Sequence, residues 1–156
     1  MINIDDLAYD PMTGDFWWLV CTGNRPKDRP AGNSRPRGYR ELCWKGKSYP
    51  AHRLAWYFYY GELPTLQIDH INGNTGDNRI ENLRLATPSL NKANTRTPRT
   101  NTSGYKGVTR QGKRWTAAVK HMGRRYYLGA FDTPEEAHAA YCCGAMSFFG
   151  EYANFG

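Results

Sequence analysis

The sequence has no C-x-x-C pair: its four cysteines are Cys21, Cys43, Cys142 and Cys143. Adjacent cysteines rarely share one tetrahedral metal site or bond to each other, which argues against a zinc ribbon and against a disulfide framework. Reduced thiols are the expectation. Long apolar runs are also missing, and no stretch approaches the roughly 20 residues that cross a bilayer as a helix. The opening residues, Met1-Ile2-Asn3-Ile4-Asp5-Asp6, show neither a basic n-region nor an apolar h-region, so no secretory leader is expected.

Acids are scarce in one stretch and bases in another. Residues 92–132 hold ten Lys or Arg against a single acid, Asp132, whereas residues 133–156 hold three Glu and no Lys or Arg. Residues 1–91 are close to balance, with 11 basic and 10 acidic side chains. The net charge of +7 is therefore concentrated in about 40 residues of the chain. A charge carried only for solubility would be spread out; a concentrated one describes a surface for a polyanion.

What is abundant is aromatic and turn-forming. Aromatics make up 14% of the 156 residues, with 16 Gly and 9 Pro, which suits one ordinary domain or two very small ones built from short elements. Two hairpins are expected first: Leu7–Tyr9 with Phe16–Val20, turning at Asp10-Pro11-Met12-Thr13-Gly14, and Tyr39–Trp44 with Ser48–Pro50. Between them residues 23–38 read as a long polar loop. Ala51–Tyr60 reads as a helix ended by Gly61 and Pro64. Residues 66–71 read as a short strand, 72–78 as a loop and 79–83 as extended chain. Thr87 and Pro88 open a helix carrying Leu90, Asn91 and Asn94. Residues 95–104 have no large apolar side chain and read as a basic, extended linker. Three strands near 107–109, 115–122 and 124–131 follow, then a helix capped by Thr133 with Glu136 three positions on.

Residues 68–94 collect what phosphodiester cleavage requires: a base for water, a cation beside the phosphate, and a scaffold for both. Asp69 and His70 are adjacent on a strand, so their side chains face apart and can take separate duties. Asn82, Asn91 and Asn94 offer amide oxygens to a hard cation or braces for a loop. His52 reads as structural, His121 and His138 as non-catalytic, Asp77 and Asn78 as loop-shaping, and Arg79 and Arg84 as either ion-pair partners or phosphate contacts.

Ile68-Asp69-His70-Ile71-Asn72-Gly73-Asn74, then Asp77 to Arg84, then Asn91 and Asn94, closely resemble the HNH family of homing-type nucleases, with His52-Arg53-Leu54-Ala55-Trp56 as the segment preceding the site. The resemblance implies a ββα-metal site in which His70 is the general base and Asp69 and Asn91 hold one divalent cation, Mg²⁺ or alternatively Mn²⁺. It implies that Asn82 ties down the loop and orients His70. The third letter of the motif is here Asn91 rather than His, which implies a more oxygen-rich cation site. Further on, Ser103-Gly104-Tyr105-Lys106-Gly107-Val108, Trp115–Val119 and Tyr127–Ala137 resemble the APETALA-type DNA-binding domain of plant ethylene-response factors.

On that resemblance Lys106, Arg110, Lys120, Arg125 and Tyr127 are DNA contacts, joined by Lys113 and Arg114 and by Arg96 and Arg99 of the linker. Alternation along the strands is expected to put Trp115, Ala117, Val119 and His121 on the helix side, with Arg125, Tyr127 and Gly129 opposed to Tyr126, Leu128 and Ala130. The expected architecture is α+β: a ββα-metal nuclease domain over 1–94, a linker over 95–104, and a three-stranded antiparallel sheet on one helix over 105–156. The expected protein is a DNA endonuclease of phage or mobile-element type, in the cytoplasm of a bacterial host if phage-encoded. It would act on duplex DNA as a monomer or dimer and without a membrane. A DNA-binding regulator without catalysis, or an RNA-processing nuclease, would share these charges.

Overall fold

The computed structural model describes all residues except 22 and 24–26, so that part of the polar loop expected over 23–38 lies outside the described residues. The architecture is α+β, in two compact units, residues 1–86 and 87–156.

The first unit starts with β1 (Ile2–Ile4), β2 (Leu7–Tyr9) and β3 (Phe16–Trp18), an antiparallel meander in the order β1-β2-β3. A second meander comprises β4 (Asn33–Ser34), β5 (Arg40–Trp44) and β6 (Lys47–Pro50). Strands β1 and β4 add edges to the two expected hairpins, and β4 falls inside the stretch expected to be loop. Helix α1 (Ala51–Tyr60) buries Ala51, Leu54, Ala55 and Phe58, the i, i+3, i+4, i+7 stripe of a helix with one apolar face. It stops at Gly61, which at φ +82° donates its backbone N–H to the Tyr57 carbonyl. The apolar stripe meets Leu7, Tyr9, Phe16, Leu42 and Trp44 in one core that also takes in Ile68 and Leu83. Those last two sit on β7 (Gln67–His70) and β8 (Leu83–Ala86), a two-stranded antiparallel ladder pairing Asp69 with Arg84 and His70 with Leu83. The segment expected to be extended over 79–83 is instead a 3-10 turn at Ile80–Asn82 leading into β8.

The second unit opens with α2 (Pro88–Ala93), capped as expected by the Thr87 hydroxyl, which accepts from the Leu90 N–H. The boundary between compact units falls before this helix, not after residue 94. The reason is packing: Ala93 is buried in the core of the second unit and Leu90 packs against it. Strands β9 (Val108–Gln111), β10 (Arg114–His121) and β11 (Arg124–Phe131) form an antiparallel sheet in the order β11-β10-β9, covered by α3 (Pro134–Phe149). The Thr133–Glu136 capping box at the start of α3 is present in both directions. Gly144 lets α3 close on the sheet, since a Cβ there would lie 2.6 Å from the Leu128 side chain.

The simple alternation expected for β11 does not run its full length. Ala117 pairs with Gly129 but Ala118 pairs with Tyr127, so Leu128 is the extra residue of a bulge. Gly129 therefore shares the helix side with Ala117, while Tyr127 stays on the opposite side at 64% exposure.

Candidate active site

The strand ladder β7–β8 places Asp69 and His70 side by side and buries both. Asp69 lies directly across from Arg84, whose Nε and Nη2 each donate to its Oδ2 at 2.9 Å. The ion pair follows from register, and both side chains are largely withdrawn from water. Loss of either partner would strand a buried charge.

The chain between the two strands is a loop held by its own amides. Asn74 N–H donates to Asn72 Oδ1 at 2.8 Å and Gly76 N–H to Asn74 Oδ1 at 3.1 Å, successive Asx turns. Asn82 closes it: its Oδ1 accepts from the Asn72 N–H at 3.0 Å and its Nδ2 donates to the Asp77 carbonyl at 2.8 Å.

The contact on the His70 ring comes from Asn78, whose Oδ1 lies 3.3 Å from Nε2. Asn78 is 1% exposed, and its Nδ2 donates to the Gly76 carbonyl. That bond leaves the amide oxygen facing His70, and an amide oxygen only accepts, so Nε2 carries the hydrogen and Nδ1 carries the lone pair. Asn78 is in turn held through its carbonyl, which accepts from the Tyr9 hydroxyl at 2.8 Å. By sequence alone Asn78 is only a loop-shaping residue. Nothing local to a polar Asp-Asn-Arg string signals burial against a histidine eight positions away.

Two further rings frame His70. His52 lies 5.4 Å away, edge to face, and Tyr39 lies 6.1 Å away and 5.7 Å from His52. Nδ1 of His52 is buried without a hydrogen-bond partner, a costly arrangement of about 1–3 kcal/mol. Burial first, then the proximity of His70 and Arg53, pushes the His52 imidazole down to about 4. Burial also lowers His70, against the raising influence of Asn78, Asp69 and Asp77. Both rings are therefore uncharged at neutral pH, the state a proton acceptor requires.

Asp77 anchors the far side of the loop. Its carboxylate accepts from Arg79 Nε at 2.9 Å and Nη2 at 2.8 Å, and from Asn72 Nδ2 at 2.8 Å. Chiefly the Arg79 hydrogen bonds lower its carboxyl from 3.8 to about 2. A depressed folded-state value adds stability above the unfolded value and loses it as pH falls through the folded one. The urea midpoint of the first unit should consequently drop between pH 3.8 and about 2, and Arg79→Gln should flatten that limb. An unchanged limb in the variant would show that the pair contributes nothing.

Among the described residues there is no group of three or more His, Cys, Asp or Glu side chains that could hold a metal ion. The donor set at this site is one carboxylate, Asp69, amid amides. That chemistry fits a hard divalent cation that keeps most of its waters.

The other expected site residues lie in the second unit. Asn91 is on α2, its backbone N–H bonded to the Thr87 carbonyl at 2.9 Å. Arg96, Arg99, Lys113, Arg114, Lys120 and Arg125 are exposed, and Arg114 pairs with Asp132 at 3.2 Å. Lys106 differs: its ammonium donates to the carbonyls of Ala93 at 2.7 Å and Thr95 at 2.5 Å, and burial lowers it to about 8. Arg110 lies over the Trp115 ring at 5.6 Å and pairs with Trp115 across the ladder, which puts it on the helix side of the sheet.

The HNH endonuclease family profile matches residues 49–93, the stretch from β6 through α2. Protein 3.8 of Escherichia phage T7 is 33% identical over 107 residues, covering 67% of this chain and 88% of that protein. The HNH endonuclease L560 of Acanthamoeba polyphaga mimivirus is 35% identical over 95 residues, 60% of this chain and 49% of its own length. APETALA2-like protein 2 of Oryza sativa is 40% identical over 65 residues, 40% of this chain but only 15% of the plant protein.

Proposed function

We propose that the chain, which carries an HNH endonuclease domain over residues 49–93, hydrolyses phosphodiester bonds in double-stranded DNA with His70 as the general base. The observation that carries this reading is the Asn78 amide oxygen at His70 Nε2, which leaves Nδ1 as the basic nitrogen of a neutral, buried ring. A water at Nδ1 gives up its proton as it attacks the phosphorus, and the 3′ oxygen leaves. Asn82 serves this step from a distance, tying both ends of the loop that carries Asn78. Asp69 would contribute its carboxylate to one divalent cation, Mg²⁺ or Mn²⁺. When bound, such a cation offsets charge on the phosphate and the leaving oxygen. Arg84 beside Asp69 orients that carboxylate through its guanidinium.

The second unit is the DNA-holding module. Its sheet turns Lys120, Arg125 and Tyr127 away from α3, a basic and aromatic face suited to a groove of duplex DNA. The partial likeness to the plant protein supports this assignment, and the similarity to the T7 protein supports action inside a bacterial host. No helix is long and apolar enough to cross a membrane among the described residues. One site cuts one strand, so a monomer nicks and a double-strand break takes two copies or two events.

Incubation of the full chain with supercoiled plasmid and Mg²⁺ or Mn²⁺ should yield open circles, and EDTA should prevent it. An intact plasmid with every divalent metal offered would overturn the endonuclease reading.

A further inference from the structure

A cleft of about 370 Å³ lies wholly within the second unit, lined by Pro88, Ser89 and Lys92 of α2 and by Lys120, Met122 and Gly123 of the β10–β11 hairpin. Both lysines are exposed, and no acidic side chain lines the cleft. Three of this unit's four acids are committed elsewhere: Asp132 to Arg114, Glu135 to the Tyr105 hydroxyl, and Glu136 to the capping box, and the fourth, Glu151, does not line the cleft. Register adds more positive charge, because Lys120 stands directly opposite Arg125 on β11. Like charges facing across a ladder repel, and an anion between or beside them relieves the repulsion. The walls are joined by a hydrogen bond from the Met122 N–H to Ser89 Oγ at 3.4 Å. Met122 reaches this position at φ +47°, in the left-handed region that a side chain adopts reluctantly.

We propose that this cleft is a phosphate site for the backbone of duplex DNA, with Lys92 and Lys120 as its two cations. It rests on the DNA-holding reading of the second unit and extends it from the sheet face onto α2. Lys92 supplies charge that the sheet alone lacks. The strand that crosses the sheet at Lys120 and Arg125 then passes over α2.

The test uses the full chain in EDTA, with a fluorescently labelled duplex of random sequence and a series of NaCl concentrations. Lys92→Gln should weaken binding by the same factor on different sequences and reduce the log–log salt slope by about one unit, and the Lys92→Gln/Lys120→Gln pair by about two. Lys47→Gln, which removes an equal charge from the β5–β6 hairpin, should leave the slope unchanged. Lysine acetylation read by mass spectrometry should show Lys92 and Lys120 protected by the duplex. A wild-type slope in Lys92→Gln, while the wild-type chain still binds, overturns the site alone. No duplex binding by the wild-type chain overturns the DNA-holding reading and the site with it. Protection of both lysines by inorganic phosphate as complete as that by DNA overturns the duplex as occupant in favour of a small anion.

Discussion

Replacing His70 with Ala is expected to lower plasmid nicking by about 10²–10⁴-fold, the usual contribution of a positioned base, and to leave duplex binding unchanged. The two readouts separate because the imidazole is buried in the first unit, while the exposed cations assigned to DNA are in the second. The rate should rise as pH passes through the His70 value and then level off, since only the neutral ring accepts a proton. Burial lowers that value below 6.5, so the level region should extend through neutral pH. Asn78→Ala probes the same step differently. It leaves Nε2 without its acceptor, so the hydrogen can move to Nδ1 and the ring presents the wrong tautomer. A loss on the order of 10–100-fold in rate, with KM for DNA unmoved, is the range for partners that fix a functional histidine's tautomer. Nicking by His70→Ala at the wild-type rate would remove His70 from the chemistry.

Elements announced by local chemistry were legible in the sequence. Gly61 ends α1, Thr87 caps α2 and Thr133 with Glu136 opens α3, because each signal sits within four residues of the backbone group it satisfies. Asp69 and His70 were legible for the same reason, as strand neighbours inside a motif. What depended on distant partners was not. Strands β1 and β4 are three and two residues long and exist by pairing with neighbours. The bulge at Leu128 is a property of two strands together. The role of Asn78 depends on Tyr9, 69 positions earlier. Lys106 has the composition of a phosphate contact, yet its ammonium reaches the carbonyls of Ala93 and Thr95. Helix α2 belongs by sequence to the nuclease motif and by packing to the second unit, since burial of Ala93 rather than motif membership decides where a six-residue helix packs.

The dependence of the site on the N-terminal meander leads to a second large effect, at Gly14, a residue with no chemistry of its own. It adopts φ +77°, and a Cβ there would lie 2.4 Å from the Arg79 nitrogen and 2.6 Å from the Asn78 carbonyl carbon. Those are backbone atoms, which cannot swing aside as a side-chain end would. The β2–β3 turn is pressed onto the His70 loop at this point, and the Ile80 N–H donates to the Pro11 carbonyl beside it at 3.1 Å. Gly14→Ala therefore combines left-handed strain of about 1–3 kcal/mol with overpacking of about 1–3 kcal/mol. Gly46→Ala separates the two contributions, because Gly46 has φ +73° and no atom within 4 Å of its would-be Cβ. Urea unfolding of the first unit should show Gly46→Ala bearing the strain alone and Gly14→Ala roughly double that loss. At temperatures where Gly14→Ala remains folded, nicking should still fall, because relief of the clash moves Asn78 and with it the acceptor at His70 Nε2. Equal destabilisation by the two substitutions, with nicking intact in both, would mean that the meander does not support the loop.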